Sequence, residues 1–164
     1  MTSKCADRDL AGDIAVVRDF NRFYTARLGL LRKRHLDSKF SLTEARILYE
    51  IGANPRTTAA ALREVLGLDR GYISRSLALL SKRRRIRHAP SGNDGREKLL
   101  SLTTTGKKAV AHLNEQSDKQ MQEMLADLPA TQREALTEAL SRAKEILSRV
   151  SNPSVRIARL NKKS

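Results

Sequence analysis

Tryptophan is absent from this 164-residue chain, aromatic residues amount to 4%, and the single cysteine is Cys5. One thiol excludes a disulfide within the chain and any cysteine-cluster metal centre, and Cys5 is expected to be an inert surface group. The three histidines, His35, His88 and His112, stand at no ligand spacing, so neither a metal nor another cofactor is expected. Long apolar runs are missing as well. No stretch reaches the about 18 residues of a membrane span, and the N-terminus lacks the apolar core of a signal peptide; the expected location is the cytoplasm, on the nucleoid. No paired carboxylates, nucleophile–base pair or phosphate loop stands out, and an enzyme is not expected. Acid is in short supply: 18 Asp and Glu face 32 Lys and Arg, a formal net charge of +14.

That imbalance points to a polyanionic partner, whose phosphates attract Lys and Arg through counterion release. It is also local. Between Asp69 and Lys98 nine cations (Arg70, Arg75, Lys82, Arg83, Arg84, Arg85, Arg87, Arg96, Lys98) face three acids (Asp69, Asp94, Glu97). Hydrophobic residues make up 40% of the chain, so a core can form, built from Leu, Ala, Ile and Val on helices.

Apolar positions at three- and four-residue spacing predict a first helix from Asp13 to about Leu36, with Ile14, Val17, Tyr24, Leu28 and Leu31 on one stripe. Val16, Phe20, Phe23 and Leu30 form a second stripe, so this helix asks for more than one neighbour. A second helix starts at Ser41-Leu42-Thr43-Glu44, with Ser41 or Thr43 as cap, and stops at Gly52-Ala53-Asn54-Pro55. A third runs from Thr57 or Thr58 to Leu66 and closes on Gly67. Asp69 caps a fourth, reaching about Lys82 with Ile73, Leu77, Leu79 and Leu80 inward. Two short helices joined at Leu66-Gly67-Leu68-Asp69 make a helix-turn-helix. Strands at Ile86–His88 and Lys98–Leu102 flank a Pro-, Gly- and Asn-rich tip. Thr103 caps a long helix, Leu128-Pro129 breaks it, and a final amphipathic helix carries Leu136, Leu140, Leu147 and Val150.

Three segments in this order and spacing resemble the MarR family of winged-helix regulators. They are Leu42-Thr43-Glu44-Ala45-Arg46-Ile47-Leu48, the pair Ser74-Arg75, and Asp94-Gly95-Arg96 followed by Leu102-Thr103-Thr104-Thr105-Gly106. The chain is also similar to the regulator half of proteins that fuse such a domain to a GNAT acetyltransferase, without the acetyltransferase domain. The resemblance implies a mainly α fold: a winged helix-turn-helix with a small β-hairpin wing and long N- and C-terminal dimerisation helices. The expected layout is a flexible N-terminus at 1–11, a dimerisation helix at 12–40, the DNA-binding domain at 41–103, dimerisation helices at 104–151 and a basic tail at 152–164. Where the family has glycine after the recognition helix, this chain has Arg84-Arg85. A left-handed non-glycine residue costs about 1 kcal/mol, so the helix is expected to end differently.

The expected partners are double-stranded DNA, a second copy of the chain and a small-molecule effector. Candidate DNA-contacting residues are Thr57 and Thr58 at a helix start; Arg70, Gly71, Tyr72, Ser74 and Arg75 on the recognition helix; Arg84 and Arg85 after it; and Asn93, Arg96 and Lys98 on the wing. An arginine fork fits guanine O6 and N7, and a wing arginine suits a narrow minor groove. Arg75 has two readings: base reader, or partner of Asp94 in bracing the wing. Arg83 and Arg87 would add backbone attraction. The family implies an effector crevice edged by Tyr24, Leu28, His35 and Tyr49. The function expected is a ligand-responsive repressor on a pseudo-palindromic operator; the competing reading is a basic architectural or RNA-binding winged helix indifferent to sequence.

Overall fold

The structure is a computed structural model that describes residues 9–30, 35–90 and 98–149. The chain divides into two compact units, residues 1–42 and 43–164.

In the first unit, helix α1 spans Leu10–Arg27. It starts three residues before the expected Asp13, because the Asp9 carboxylate caps it by accepting from the Ala11 N–H at 3.2 Å. It also stops well before Leu36. Gly29 takes the left-handed conformation at φ 63°, its N–H bonds the Ala26 carbonyl and the Leu30 N–H bonds that of Thr25. This pair of bonds turns the chain off the helix axis and satisfies its last carbonyls. No side chain of α1 is buried within the chain: Leu10, Ile14, Val16, Val17, Phe20 and Phe23 are each at least 46% exposed. A short 3-10 turn at His35–Asp37 follows, fastened by His35 N–H to Phe40 O at 2.9 Å.

The second unit is a winged helix. Helix α2 (Leu42–Ala53) begins directly after Ser41, one of the two expected caps, and buries Ala45, Ile47, Leu48 and Ile51. Residues 57 and 58 form a strand, β1 (Thr57–Thr58), where a helix start was expected. The helix α3 (Ala59–Leu66) begins one residue later, with the Thr58 hydroxyl accepting from the Ala61 N–H, and ends on left-handed Gly67. Helix α4 (Arg70–Lys82) is capped by Asp69. Strands β2 (Ile86–Pro90) and β3 (Lys98–Leu102) form the wing, in antiparallel register from Ile86 opposite Leu102 to Pro90 opposite Lys98. β1 adds to the outer edge of β3, Thr57 opposite Leu100, so the sheet order is β1-β3-β2. Helices α5 (Thr104–Leu125) and α6 (Ala130–Ser148) follow, separated at Leu128-Pro129 as expected. The core gathers Ile47, Leu48, Ile51, Leu62, Leu80, Leu100 and Leu113. Leu79, expected inside, is 39% exposed while Leu77 is 5% exposed; at 100° per residue the two cannot share an inward face.

The end of α4 decides how the wing leaves. Arg84 sits at φ 53°, its N–H bonds Ser81 O at 2.8 Å and the Arg85 N–H bonds Leu80 O at 2.9 Å. This is the bonding that closes α1, with arginine where α1 has glycine. The expectation of a different helix ending is therefore corrected: the termination is kept and the side-chain strain accepted. What offsets it is on the far side of the junction. The hydroxyls of Thr103 and Thr105 both donate to Arg84 O at 2.6 Å, the Thr103 N–H donates to Arg85 O at 3.0 Å, and the Thr103 hydroxyl caps α5 by accepting from the Gly106 N–H. A β-carbon on Gly106 would lie 1.9 Å from Arg85 O, so only glycine allows this approach.

Two substitutions with opposite outcomes test the junction. Gly106→Ala forces backbone apart and should destabilise by about 3 kcal/mol, whereas Arg84→Gly relieves the left-handed residue and should stabilise by about 0.5–1 kcal/mol. Urea unfolding followed by circular dichroism reads both; a neutral Gly106→Ala would contradict the packing described.

Candidate nucleic-acid interface

Asp69 fixes the start of α4: its carboxylate accepts from the Tyr72 N–H at 2.8 Å. With Ile73, Leu77 and Leu80 buried, helical geometry sends Gly71, Arg75, Ala78 and Lys82 outward in one line, three or four residues apart. All four are exposed. Arg70 and Ser74 flank this line on one side and Tyr72 on the other, where its hydroxyl lies 3.5 Å from the Thr43 hydroxyl. The Arg75 guanidinium lies 6.0 Å from the Tyr72 ring centre.

Beside Arg70 and Ser74 opens a cleft of about 580 Å³ between the start of α3, α4 and the sheet. Thr58, the cap of α3, and Arg63 within it line one side, His88 and Lys98 line it from the wing strands, and Ile73, Leu77 and Leu100 form the floor. Among the described residues three cations (Arg63, Arg70, Lys98) and no carboxylate line it. The cleft thus presents positive charge, two hydroxyls and a helix start to one volume, a combination suited to phosphate oxygens.

The structure brings Thr58, Arg70, Ser74 and Lys98 together around this cleft, with Gly71 and Arg75 on the adjoining line. Thr57 lies in β1, paired with Leu100. Three of the clustered arginines have partners inside the molecule. Arg83 forms an ion pair with Glu44 at 3.0 Å, Arg85 donates to Thr105 O at 3.1 Å, and Arg87 donates through Nε to the Ser101 hydroxyl at 2.9 Å across the strand pair. Glu44 is 8% exposed, so Arg83 answers a buried carboxylate and ties α2 to the end of α4. Arg84 is exposed. Asn93, Asp94 and Arg96 lie outside the described residues, as does Cys5. Sequence reasoning passed over Arg63 and His88 in the cleft and counted Lys82 for charge alone. The spacing from Arg75 to Lys82 carried a usable signal for the last; nothing local marked the other two, which reach the cleft through the sheet and the α3 packing.

Of the four crevice candidates, Tyr24, Leu28 and His35 belong to the first unit and Tyr49 to the second. Tyr24 stacks on Phe20, ring centres 5.4 Å apart. Burial lowers the His35 pKa from its ordinary 6.5. Burial foremost, then the charge of Asp118, raises that of Tyr49, with Arg46 acting the other way. Among the described residues no group of three His, Cys, Asp or Glu could hold a metal, and no helix is long and apolar enough to cross a membrane.

Residues 38–97 match the model of the MarR family. Among solved structures, a mutant MarR from E. coli complexed with operator DNA is 24% identical, with 82% of this chain and 98% of that one covered at a TM-score of 0.64. The PcaV transcriptional regulator from Streptomyces coelicolor, in complex with its natural ligand, is 21% identical over 88% of this chain and 98% of that one at 0.56. The transcriptional regulator BldR from Sulfolobus solfataricus is 18% identical over 87% and 99% at 0.70. A search of curated proteins finds no match. The fold is that of winged-helix MarR structures, and the match to the MarR family model lies within the stretch from α2 through α4 to the wing.

Because His35 resists protonation when folded, the unfolded chain binds the proton first as pH falls below 6.5, and stability is lost over that window until the folded group also titrates. His35→Gln should flatten the decline; urea midpoints at pH 7.5 and just below 6.5 check it, and an unchanged slope would remove His35 as its source.

Proposed function

We propose that this chain is a homodimeric MarR-type transcriptional regulator that occupies a pseudo-palindromic operator, represses, and lets go when a small-molecule effector binds. The observation that carries the reading is the outward line of α4 standing next to a cleft that Arg63, Arg70 and Lys98 line with positive charge. A helix displayed this way fits a major groove, with the cleft taking the adjoining backbone. The DNA-contacting set is Thr57, Thr58, Arg70, Gly71, Tyr72, Ser74, Arg75, Arg84, Arg85, Asn93, Arg96 and Lys98, with Asp94 bracing the wing. Arg63 and Lys82 join it from their positions described above.

Dimerisation is argued from the apolar side chains of α1 that the chain leaves unburied, together with Ile146 and Leu147 of α6, 55% and 66% exposed. Exposed apolar surface on this scale marks an interaction site. The proposed layout keeps the reading domain at 41–103 between dimerisation segments at 12–40 and 104–151. Tyr24, Leu28, His35 and Tyr49 are the proposed effector-contacting residues. The likeness to acetyltransferase fusions adds no activity to this proposal. Its place of action is the cytoplasm, on DNA.

A sequence-indifferent architectural role would use a loose run of charge. The partners of Arg83, Arg85 and Arg87 within the molecule favour a fixed reading head instead.

Selection of bound sequences from random DNA, followed by fluorescence anisotropy, tests the reading. A two-fold related site with half-sites about one helical turn apart is expected; binding that ignores sequence at moderate salt would sink it. Arg96→Glu should weaken binding to the selected site roughly tenfold, and an unchanged affinity would take the wing out of the mechanism. Sedimentation equilibrium should give twice the chain mass, reduced to the chain mass by Phe20→Glu.

A further inference from the structure

Side-chain size along the outward line of α4 is uneven. Gly71 stands one turn before Arg75 and Ala78 one turn after it, so one long side chain rises between two gaps. Arg75 turns back into the first gap. Its Nη1 is 3.2 Å from the point a β-carbon on Gly71 would occupy, and Oδ1 of Asp69 is 3.3 Å from the same point. Cζ lies 6.0 Å from the Tyr72 ring centre, within reach of a cation–π attraction. Tyr72 is itself placed from two sides, through its N–H on Asp69 and its hydroxyl near Thr43.

We propose that Gly71, Tyr72 and Asp69 form a seat that pre-orients the Arg75 guanidinium, which makes Arg75 the specificity-determining side chain of the reading head and Tyr72 a positioning residue. The inference rests on the DNA-reading function above. A seated arginine has less rotamer freedom to lose when its fork closes on a base. The target is guanine, whose O6 and N7 accept the two parallel N–H donors of a guanidinium. Asp69 serves twice, as helix cap and as a negative charge near the resting guanidinium. Gly71 contributes space, at the expense of helix propensity.

Gly71→Ala is the discriminating variant: alanine is the better helix former, so thermal stability should hold or rise, yet its β-carbon, 3.2 Å from Arg75 Nη1 and 3.3 Å from Asp69 Oδ1, crowds the seat. In the DNA-free protein, nitrogen-15 relaxation at the Arg75 Nε–H should show restricted motion relative to Arg70. The restriction should be reduced in Gly71→Ala and Tyr72→Leu and persist in Tyr72→Phe. On selected DNA, the first two should lower discrimination against a guanine-substituted site about tenfold; Tyr72→Phe, which keeps the ring beside Arg75, should retain that discrimination whatever it does to overall affinity. An Arg75 as mobile as Arg70 overturns the seat whatever the DNA results. Unaltered discrimination in Gly71→Ala, with sequence-specific wild type, overturns the specificity role alone. A restricted Arg75 in a wild type without sequence preference overturns the DNA-reading function, and the role given to Arg75 with it.

Discussion

Two backbone carbonyls at the end of α4 hold the winged helix together. Arg84 O receives the hydroxyls of Thr103 and Thr105, and Arg85 O receives the Thr103 N–H while lying against Gly106. Three elements meet there: α4 ends, the first wing strand departs, and α5 begins. Carbonyls left by a helix end need partners once they are shielded from water. Here the start of α5 supplies them, and the same threonine caps that helix. The stretch Leu102-Thr103-Thr104-Thr105-Gly106 is thus a docking surface as much as a helix start.

From that junction the rest of the interface follows. β2 is launched in register with β3, β3 recruits β1 at its other edge, and β1 runs straight into the cap of α3. The cleft beside α4 is bounded by these pieces, so its cations share one volume although Arg63 and Lys98 are far apart in sequence. The ion pair of Arg83 with Glu44 ties α2 to the same helix end, so α4 is fixed at its C-terminal end on two sides.

The arginine-rich segment after α4 divides its labour. Arg83, Arg85 and Arg87 bond within the molecule, while Arg84 lends its backbone to the junction and leaves its side chain exposed. Charge counted in bulk treats these four alike. Pairing three of them leaves the outward positive charge of this segment at fixed positions instead of spread along the run.

Much of this was set locally and could be read locally. Asp69, Thr58 and Thr103 cap helices through bonds spanning three residues; Gly67 ends α3 by its own backbone freedom; Pro129 separates the last two helices; three- and four-residue spacing named Ile73, Leu77 and Leu80 as core. The over-long first helix was a local signal missed, since Gly29 carried it. Other features had no local signal. Thr57–Thr58 is a strand because β3, some forty residues on, offers an unpaired edge. Leu79 faces out because its neighbours on α4 already fill the inward arc. Arg84 holds a conformation disfavoured for its residue type because two threonines across the junction hold its carbonyl. Sequence alone determined the helices, their caps, the wing and where charge accumulates, since these depend on bonds between near neighbours. Only the tertiary structure decided which arginines face outward and which are tied down, because that depends on acceptors brought from distant parts of the chain.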